Sequence, residues 1–315
     1  MYGSLAAKDD FYQRRRMMNP VLFAAGVLLF GICAFDMMGV LVRMLGGSYP
    51  ILQIAVLRNL FGVLPALFLL WHASQLSNLT MVLNRQGLVV TLIRSASVAI
   101  AQFCFYNALT RIEFATATAL AFCGPMFLTA LSVPLLGHRV GVWRWSAILI
   151  GFAGVVTILQ PFRDGFSLAM ILPIMAAFFY AMSSILVRRF PADVPSAAIQ
   201  FSQQIVTFVM MLVALFLFQQ PIPATGISDI LLFVLVGIFG GTGVMCLVIA
   251  YRLADPGSVS PFEYFGIPIS FCLGWLFFRE APFDDLFPGI LLIVMAGITI
   301  IVRERIVSRR ADTDR

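Results

Sequence analysis

Charge is the scarcest property of this 315-residue sequence: 11% of its residues are Asp, Glu, Lys or Arg, and Lys8 is the single lysine among 21 basic residues. A chain that folds in water carries about 25% charged residues, so a soluble globular domain is excluded. Histidine is nearly missing, with His72 and His138 alone, and the five cysteines (Cys33, Cys104, Cys123, Cys246, Cys272) show no CxxC spacing. A zinc site, a haem attachment or a disulfide framework therefore lacks its ligands. No metal and no cofactor is expected, and each cysteine reads as a small buried hydrophobe. The basic residues fall in short clusters between apolar runs, so no basic face with interleaved aromatics exists and nucleic acid is excluded as a partner despite a pI near 9.4. A GxxxxGK[ST] phosphate loop is also missing, which removes a nucleotide-driven motor.

What the sequence has in abundance is apolar: 61% of residues are hydrophobic, 30 of them phenylalanine, and the mean hydropathy is +0.96. A membrane-spanning helix needs about 20 mostly apolar residues. Ten segments meet that need: 20–43, 49–71, 87–109, 114–136, 142–160, 167–187, 196–218, 228–251, 257–278 and 286–302. Arg14, Arg15 and Arg16 ahead of the first run look like the start of a secretory leader. The run passes 20 residues and nine more follow, so it is read as a first spanning helix. Counting Lys and Arg on alternate sides puts 15 on the side of the N-terminus and 4 on the other (Arg43, Arg111, Arg163, Arg279). The positive-inside bias then places both termini in the cytoplasm.

The chain also resembles itself. A shift of 142 residues lays Ala108 on Ala250, Glu113 on Asp255, Ala115 on Gly257, Phe122 on Tyr264, Gly124 on Gly266 and His138 on Glu280. Each half then holds five spans, and an odd number forces the second copy to enter the membrane upside down. The expected fold is an all-α membrane protein of ten transmembrane helices arranged as two inverted five-helix repeats. Its divisions are a cytoplasmic tail 1–19, a first repeat 20–160, a second repeat 161–302 and a cytoplasmic tail 303–315. Inverted repeats of this kind enclose a cavity near the midplane and belong to transporters.

Charges at membrane depth cost about 2.5–3.5 kcal/mol each on insertion scales and face a cavity or a partner. Four lie inside the spans: Asp36, Arg58, Arg94 and Glu263. Two acids and two bases neutralise each other as a structural set, or else contact a substrate, an arginine being suited to a carboxylate or another acceptor. Glu263 is the candidate for a coupling proton. Uncharged polar residues at similar depth include Gln53, Asn59, Gln102, Asn107, Tyr180, Ser183, Ser184 and Tyr264. Gln200, Gln203, Gln204 and Thr207 repeat at three, four and seven, which puts them on one helical face. Interhelical hydrogen bonding is the plain explanation for any one of them, and together they suit a polar lumen. Gly237, Gly240, Gly241 and Gly243 are explained by close helix packing. Pro125 and Pro268, just beyond the matched glycines, interrupt two helices at equivalent depth, where a binding site is expected.

These residues carry a family resemblance over nearly the whole chain, from about 20 to 302. The stretch Ala250-Tyr-Arg-Leu-Ala-Asp-Pro-Gly-Ser-Val-Ser-Pro-Phe-Glu-Tyr264, with Leu273-Gly-Trp-Leu-Phe-Phe-Arg-Glu280, resembles the drug/metabolite transporter superfamily in its ten-helix EamA-like branch. Asp36, Arg43, Tyr49-Pro50, Gln53, Arg58 and Arg94 are similar to that branch's opening pattern. Two positions depart from it: His138 stands where Glu is usual, and Arg279 where Gly is usual. The resemblance implies alternating-access transport of a small organic metabolite, driven by a gradient, exchange or downhill flow, in the bacterial inner membrane. An intramembrane enzyme would need paired carboxylates or a positioned nucleophile at depth, and Asp36 and Glu263 stand on distant helices. A structural or receptor-like membrane protein would have no need of matched proline interruptions.

Family cargoes include amino acids and derivatives, S-adenosylmethionine, opine-type metal chelators and riboflavin. The glutamine stripe and neighbouring rings suit a planar, hydrogen-bonding, largely uncharged molecule, so riboflavin is the expected substrate. The alternative is an amino acid or derivative, with an arginine on its carboxylate and Glu263 on its amine. The expected substrate-binding set is Asp36, Arg58, Arg94, Gln102, Asn107, Tyr180, Gln203, Gln204, Glu263 and Tyr264. A small-molecule substrate and membrane lipid are the expected partners, and a homodimer is left open.

Overall fold

The computed structural model describes residues 20–73, 79, 82, 85–136, 142–159, 167–191, 193–254, 259–280, 286–296, 298–299 and 302. Ordered elements among them are all helical: α1 Pro20–Gly46, α2 Ile51–His72, α3 Arg85–Leu109, α4 Phe114–Ala121, α5 Gly124–Leu136, α6 Val142–Leu159, α7 Ile171–Leu186, α8 Ser196–Phe218, α9 Ile227–Leu253 and α10 Gly266–Leu273. A 3₁₀ turn, Leu168–Met170, leads into α7 and another, Val187–Arg189, ends it. A longer 3₁₀ stretch, Ser260–Phe265, precedes α10, and a π-helical turn, Gly274–Phe278, follows it. Residues 289–296 form a last helix.

Six helices among the described residues are long and apolar enough to cross a membrane: Leu22–Gly46, Ile51–His72, Gly87–Leu109, Leu168–Arg189, Ser196–Phe218 and Ile227–Leu253. Two of the other expected spans are broken, the two in which Pro125 and Pro268 were expected to interrupt the helix. The segment expected over 114–136 is two helices. Phe122 N donates to Thr118 and Ala119 carbonyls at 3.2 Å each, the chain turns at Phe122 and Cys123, and α5 restarts at Gly124. The segment expected over 257–278 runs from 3₁₀ into α at Gly266 and then widens into the π turn. Both restarts fall on the glycines that the shift of 142 superposes. Pro125 and Pro268 lie in the first turn of the restarted helices, where a missing N–H breaks no ladder. A Cβ at Gly266 would meet the Phe122 ring at 2.5 Å and Ile32 at 2.9 Å, so the second break crosses the first at close range.

The burial pattern is inside-out. On α2, Leu60, Leu64, Phe68 and Trp71 are exposed while Arg58, Asn59 and Gly62 are buried. On α8, Ile205, Val209, Val213 and Phe216 are exposed while Gln200, Gln203, Gln204 and Thr207 have no accessible surface. An apolar outer face over a polar interior suits lipid, where polar groups must find partners inside. The chain is a multi-pass membrane protein. Helix α9 packs on α1 and α2, α2 on α8, and α3 on α7 and α8.

The α2–α9 crossing is built on glycine. A Cβ at Gly241 would meet the Gly62 carbonyl oxygen and lie 2.8 Å from Gly62 Cα, and one at Gly240 would meet Arg58 Nε at 2.6 Å and Met38 Sδ at 2.7 Å. Small-residue packing, expected for this glycine group, is therefore what these positions do. A second crossing joins α6 to the last helix. A Cβ at Gly151 would meet Ala296, and one at Gly154 would meet Ile293, each at 3.0 Å. The shift of 142 turns one of these contacts into the other. All five cysteines are free; Cys104 and Cys123 are buried and Cys246 half-buried, whereas Cys33 and Cys272 lie on the outer face rather than in the core. His138 and Tyr264, matched by the shift to Glu280 and Phe122, lie outside the described residues, Tyr264 by its side chain alone.

Candidate functional site

A cavity of roughly 260 Å³ lies among α1, α2, α3, α4, α5, α7, α8, α9 and the 3₁₀ stretch. Seven of the ten expected site residues line it: Asp36, Arg58, Arg94, Gln102, Tyr180, Gln203 and Glu263. Rings stand beside them, from Phe35, Phe105, Phe122 and Tyr251. The cavity is polar at its charged groups and otherwise aromatic and aliphatic, as small-molecule sites are.

Helix geometry sets the order of the groups. Arg58 projects from the middle of α2 onto α9, where its Nη2 donates to Gly240 O at 3.0 Å. Its Nη1 donates to Asn59 Oδ1 at 3.0 Å and Gln204 Oε1 at 2.8 Å. The two amides are themselves tied down. Asn59 Nδ2 donates to Gln102 Oε1 at 2.7 Å and to Ala55 O at 2.8 Å, and Gln204 Nε2 to Gly62 O at 3.3 Å. An arginine can only donate, so it fixes which way each neighbouring amide faces. Arg94 meets α8 one residue earlier, at Gln203. Its Nε donates to Ser183 O at 3.1 Å and its Nη2 to Gln203 Oε1 at 3.3 Å. Neighbouring glutamines of one helix thus hold the two arginines apart.

The idea that the four charges neutralise each other is corrected here. Among the described residues none of Asp36, Arg58, Arg94 and Glu263 forms an ion pair; the ion pair present joins Arg43 to Glu280. Both arginines are held by neutral oxygens. Glu263 Oε1 accepts from Tyr251 OH, a partner the sequence reading missed, although Tyr251 stands in the family-like stretch twelve residues earlier. Asp36 is 8% exposed, and its Oδ2 has no hydrogen-bond partner among the described residues. Arg58 Nε, Arg94 Nη1 and Gln203 Nε2 are buried and likewise unpartnered. Gly240 and Tyr251 lie eleven residues apart on α9, so the Arg58 end and the Glu263 end stand about 16 Å apart along that helix.

Two expected residues are not brought to the cavity wall, and the side chain of a third lies outside what the structure describes. Asn107 donates to Phe103 O of its own helix at 2.7 Å, the local bond open to a short amide on a helix. Gln204 lies behind Arg58 and supports it. Tyr264's side chain lies outside the described residues. The glutamine stripe is corrected in the same way: Gln203 alone of its members lines the cavity, because α8 turns that face onto α2 and α3.

One end of the bundle is closed by charge. Arg43, at the end of α1, donates through both Nη atoms to the Glu280 carboxylate, with Nη1 at 2.9 Å from Oε2. Glu280 Oε2 also accepts from Phe114 N at 2.9 Å, capping α4. The Phe278 ring lies 4.5 Å from the Arg43 guanidinium and 5.9 Å from the Phe114 ring. Arg279, the departure from the family's glycine, takes the left-handed conformation at φ 58°, the region glycine enters without cost. The cavity's lining reaches Val187 just after α7, Tyr251 near the end of α9 and Glu263 in the 3₁₀ stretch.

Fold and site define the class first: a polytopic helical membrane protein that encloses a polar, aromatic-walled cavity of metabolite size. The sequence profile of the EamA-like transporter family matches residues 19–160 and again residues 167–303. The chain belongs to that family. It is similar to riboflavin transporters of Vibrio cholerae, 35% identical over 61% of this chain, and Rhizobium johnstonii, 32% identical over 60%. Those matches span 64% and 62% of the relatives' own lengths. A pseudopaline exporter of Pseudomonas aeruginosa is 27% identical over 89% of this chain and 96% of its own. A solved protein crystal structure superposes over 87% of this chain and 96% of its own with a TM-score of 0.65 at 21% identity, which speaks to the fold.

Proposed function

We propose that the chain is a secondary carrier that moves a small polar organic metabolite across the bacterial inner membrane by alternating access, and that riboflavin is its substrate. The observation that carries this reading is the cavity: polar and charged groups in a membrane interior, lacking ion-pair partners, beside rings from Phe35, Phe105, Phe122 and Tyr180. A planar tricyclic ring that both stacks and accepts hydrogen bonds suits those walls. Two of the relatives bear the name riboflavin transporter.

The architecture in this reading is ten spans in two inverted repeats, 20–160 and 161–302, with both termini in the cytoplasm. The double profile match supports it. So does the packing. An exchange of the repeats converts the α1–α9 contact into α7–α3 and the α2–α9 contact into α8–α3, and returns α2–α8 to itself; all of these contacts are present. The charge bias of the loops then puts the Arg43–Glu280 closure on the outer side, with the cavity reaching toward the cytoplasm. Glu263 is the group we assign to a coupling proton, its carboxylate taking the proton with Tyr251 beside it.

A second reading is a zwitterionic amino-acid derivative, of the kind to which an opine exporter such as the Pseudomonas relative points. Asp36 favours it, because its unpartnered Oδ2 suits a cationic or N–H donor group. Proteoliposomes separate the two readings. Labelled riboflavin accumulates and is competed by unlabelled flavins if the first is right; uptake of S-adenosylmethionine or amino acids without competition by any flavin overturns it.

A further inference from the structure

Each unpartnered buried polar atom costs free energy unless something meets it, and two of these atoms belong to bonded neighbours. Arg94 Nη2 donates to Gln203 Oε1 at 3.3 Å. That contact fixes the orientation of the glutamine, because a flipped amide would bring two donors together. Arg94 Nη1 and Gln203 Nε2 are then a pair of N–H donors on adjoining side chains. Arg94 is 2% exposed and Gln203 has no accessible surface; both line the cavity, and neither donor has a partner among the described residues. The support behind the pair is rigid. Arg94 Nε is held by Ser183 O at 3.1 Å, and Ser95 Oγ donates to Gln203 O at 3.2 Å, pinning α3 to α8 beside it.

Arg58 differs. Its Nη1 and Nη2 are used on Asn59, Gln204 and Gly240, leaving the single Nε. The Arg94 guanidinium has two neutral acceptors, no carboxylate and an adjoining amide donor. Two neighbouring donors, one of them charged, match two acceptor atoms set side by side.

Resting on the carrier reading above, we infer that Arg94 and Gln203 form the specificity fork of the transport site. The fork receives the part of the substrate that presents two adjacent acceptor atoms and negative or delocalised charge. The pyrimidine edge of a flavin, with a ring nitrogen beside a carbonyl oxygen, and the α-carboxylate of an amino-acid derivative share this chemistry. Arg58 sets the position of α2 and α9, and Arg94 reads the cargo.

The test is Gln203→Glu with Gln203→Met as its companion, in proteoliposomes given labelled riboflavin in one arm and labelled S-adenosylmethionine in the other. The glutamate places a carboxylate of the chain's own against Arg94, where it occupies the fork. The expected result is at least a tenfold loss of uptake of whichever probe the wild type accumulates, with an unliganded melting temperature above the wild type. Gln203→Met removes the amide donor together with the oxygen that accepts from Arg94 Nη2 and adds no charge, and it loses less. Uptake by Gln203→Glu within twofold of the wild type overturns the inference. Gln203→Met equal to the wild type also overturns it, since the amide donor then serves only an internal water. A wild type that accumulates neither probe sinks the substrate reading instead. The fork is then judged by melting alone: a rise in Gln203→Glu upholds the uncompensated charge at Arg94, and no rise refutes it.

Discussion

Gly241→Ala isolates the closest approach of a glycine to the backbone of a neighbouring helix among the described residues. The added methyl would sit 2.8 Å from Gly62 Cα and 2.9 Å from Gly62 C, and nearer still to Gly62 O. These are backbone atoms of a neighbouring helix, so no side chain can swing aside. Ordinary carbon–carbon contact is about 3.5–4.0 Å, and α2 and α9 must therefore part by about 1 Å. Overpacking of this kind costs typically 1–3 kcal/mol, and here the separation also moves Gly240 O away from Arg58 Nη2, now 3.0 Å distant. Gly26→Ala is the matched control, since its methyl would meet nothing within 4 Å. Within a helix that exchange favours alanine by about 0.5–1 kcal/mol. Melting of the detergent-solubilised protein is the assay. Gly241→Ala should melt several degrees below the wild type and Gly26→Ala at or above it. Equal melting temperatures for the two variants would refute the reasoning that backbone contact, rather than glycine itself, sets the α2–α9 crossing.

Other perturbations address single contacts. Gln204→Leu removes the acceptor for Arg58 Nη1 and the donor to Gly62 O; leaving a buried charged donor short of a partner costs about 1–3 kcal/mol, visible as a lower melting temperature with Arg58 still in place. Glu280→Gln takes the charge from the closure and weakens its bonds to Arg43 and Phe114 N. Its cost of about 1–2 kcal/mol for charge-assisted bonds that are partly exposed should be recovered only in part by a charge-swapped Arg43→Glu, Glu280→Arg double variant, because an arginine at 280 cannot accept from Phe114 N. Glu263→Gln should flatten the pH dependence of uptake by proteoliposomes, and an unchanged pH profile would remove Glu263 from any coupling role.

Much of the site could be read from residue type and spacing. Charges and amides inside apolar runs must turn inward, and seven of the ten expected residues meet at one cavity. The glycine group of α9 likewise marked a close crossing. What spacing could not supply was the partner across the helix interface. Acids and bases in equal number suggested ion pairs, yet Arg58 and Arg94 are met by amide and carbonyl oxygens, because the helices packed against them carry glutamine, asparagine and glycine at that height. Glu263 meets Tyr251 for the same reason. Asn107 was misplaced because a periodic pattern says which face a residue is on, and a short amide satisfied by its own helix need face nothing.

Helix breaks were legible as matched proline positions, but their form was not. An eight-residue helix such as α4 covers about 12 Å, so hydropathy windows merge it with α5 into one apparent span. Arg279 was noted only as a departure from a family pattern. Its positive φ shows that the position asks for the backbone freedom of glycine.

The claim on which the rest depends is that substrate occupies the cavity between Arg94 and Glu263, and cysteine protection tests it directly. Ser184, on the cavity wall, is replaced by cysteine in a chain whose five native cysteines have been removed, and thiol alkylation is followed with and without saturating riboflavin. The expected result is alkylation slowed severalfold by riboflavin and left unchanged by an untransported solute. A transport-competent variant alkylated at the same rate with and without riboflavin would contradict the claim.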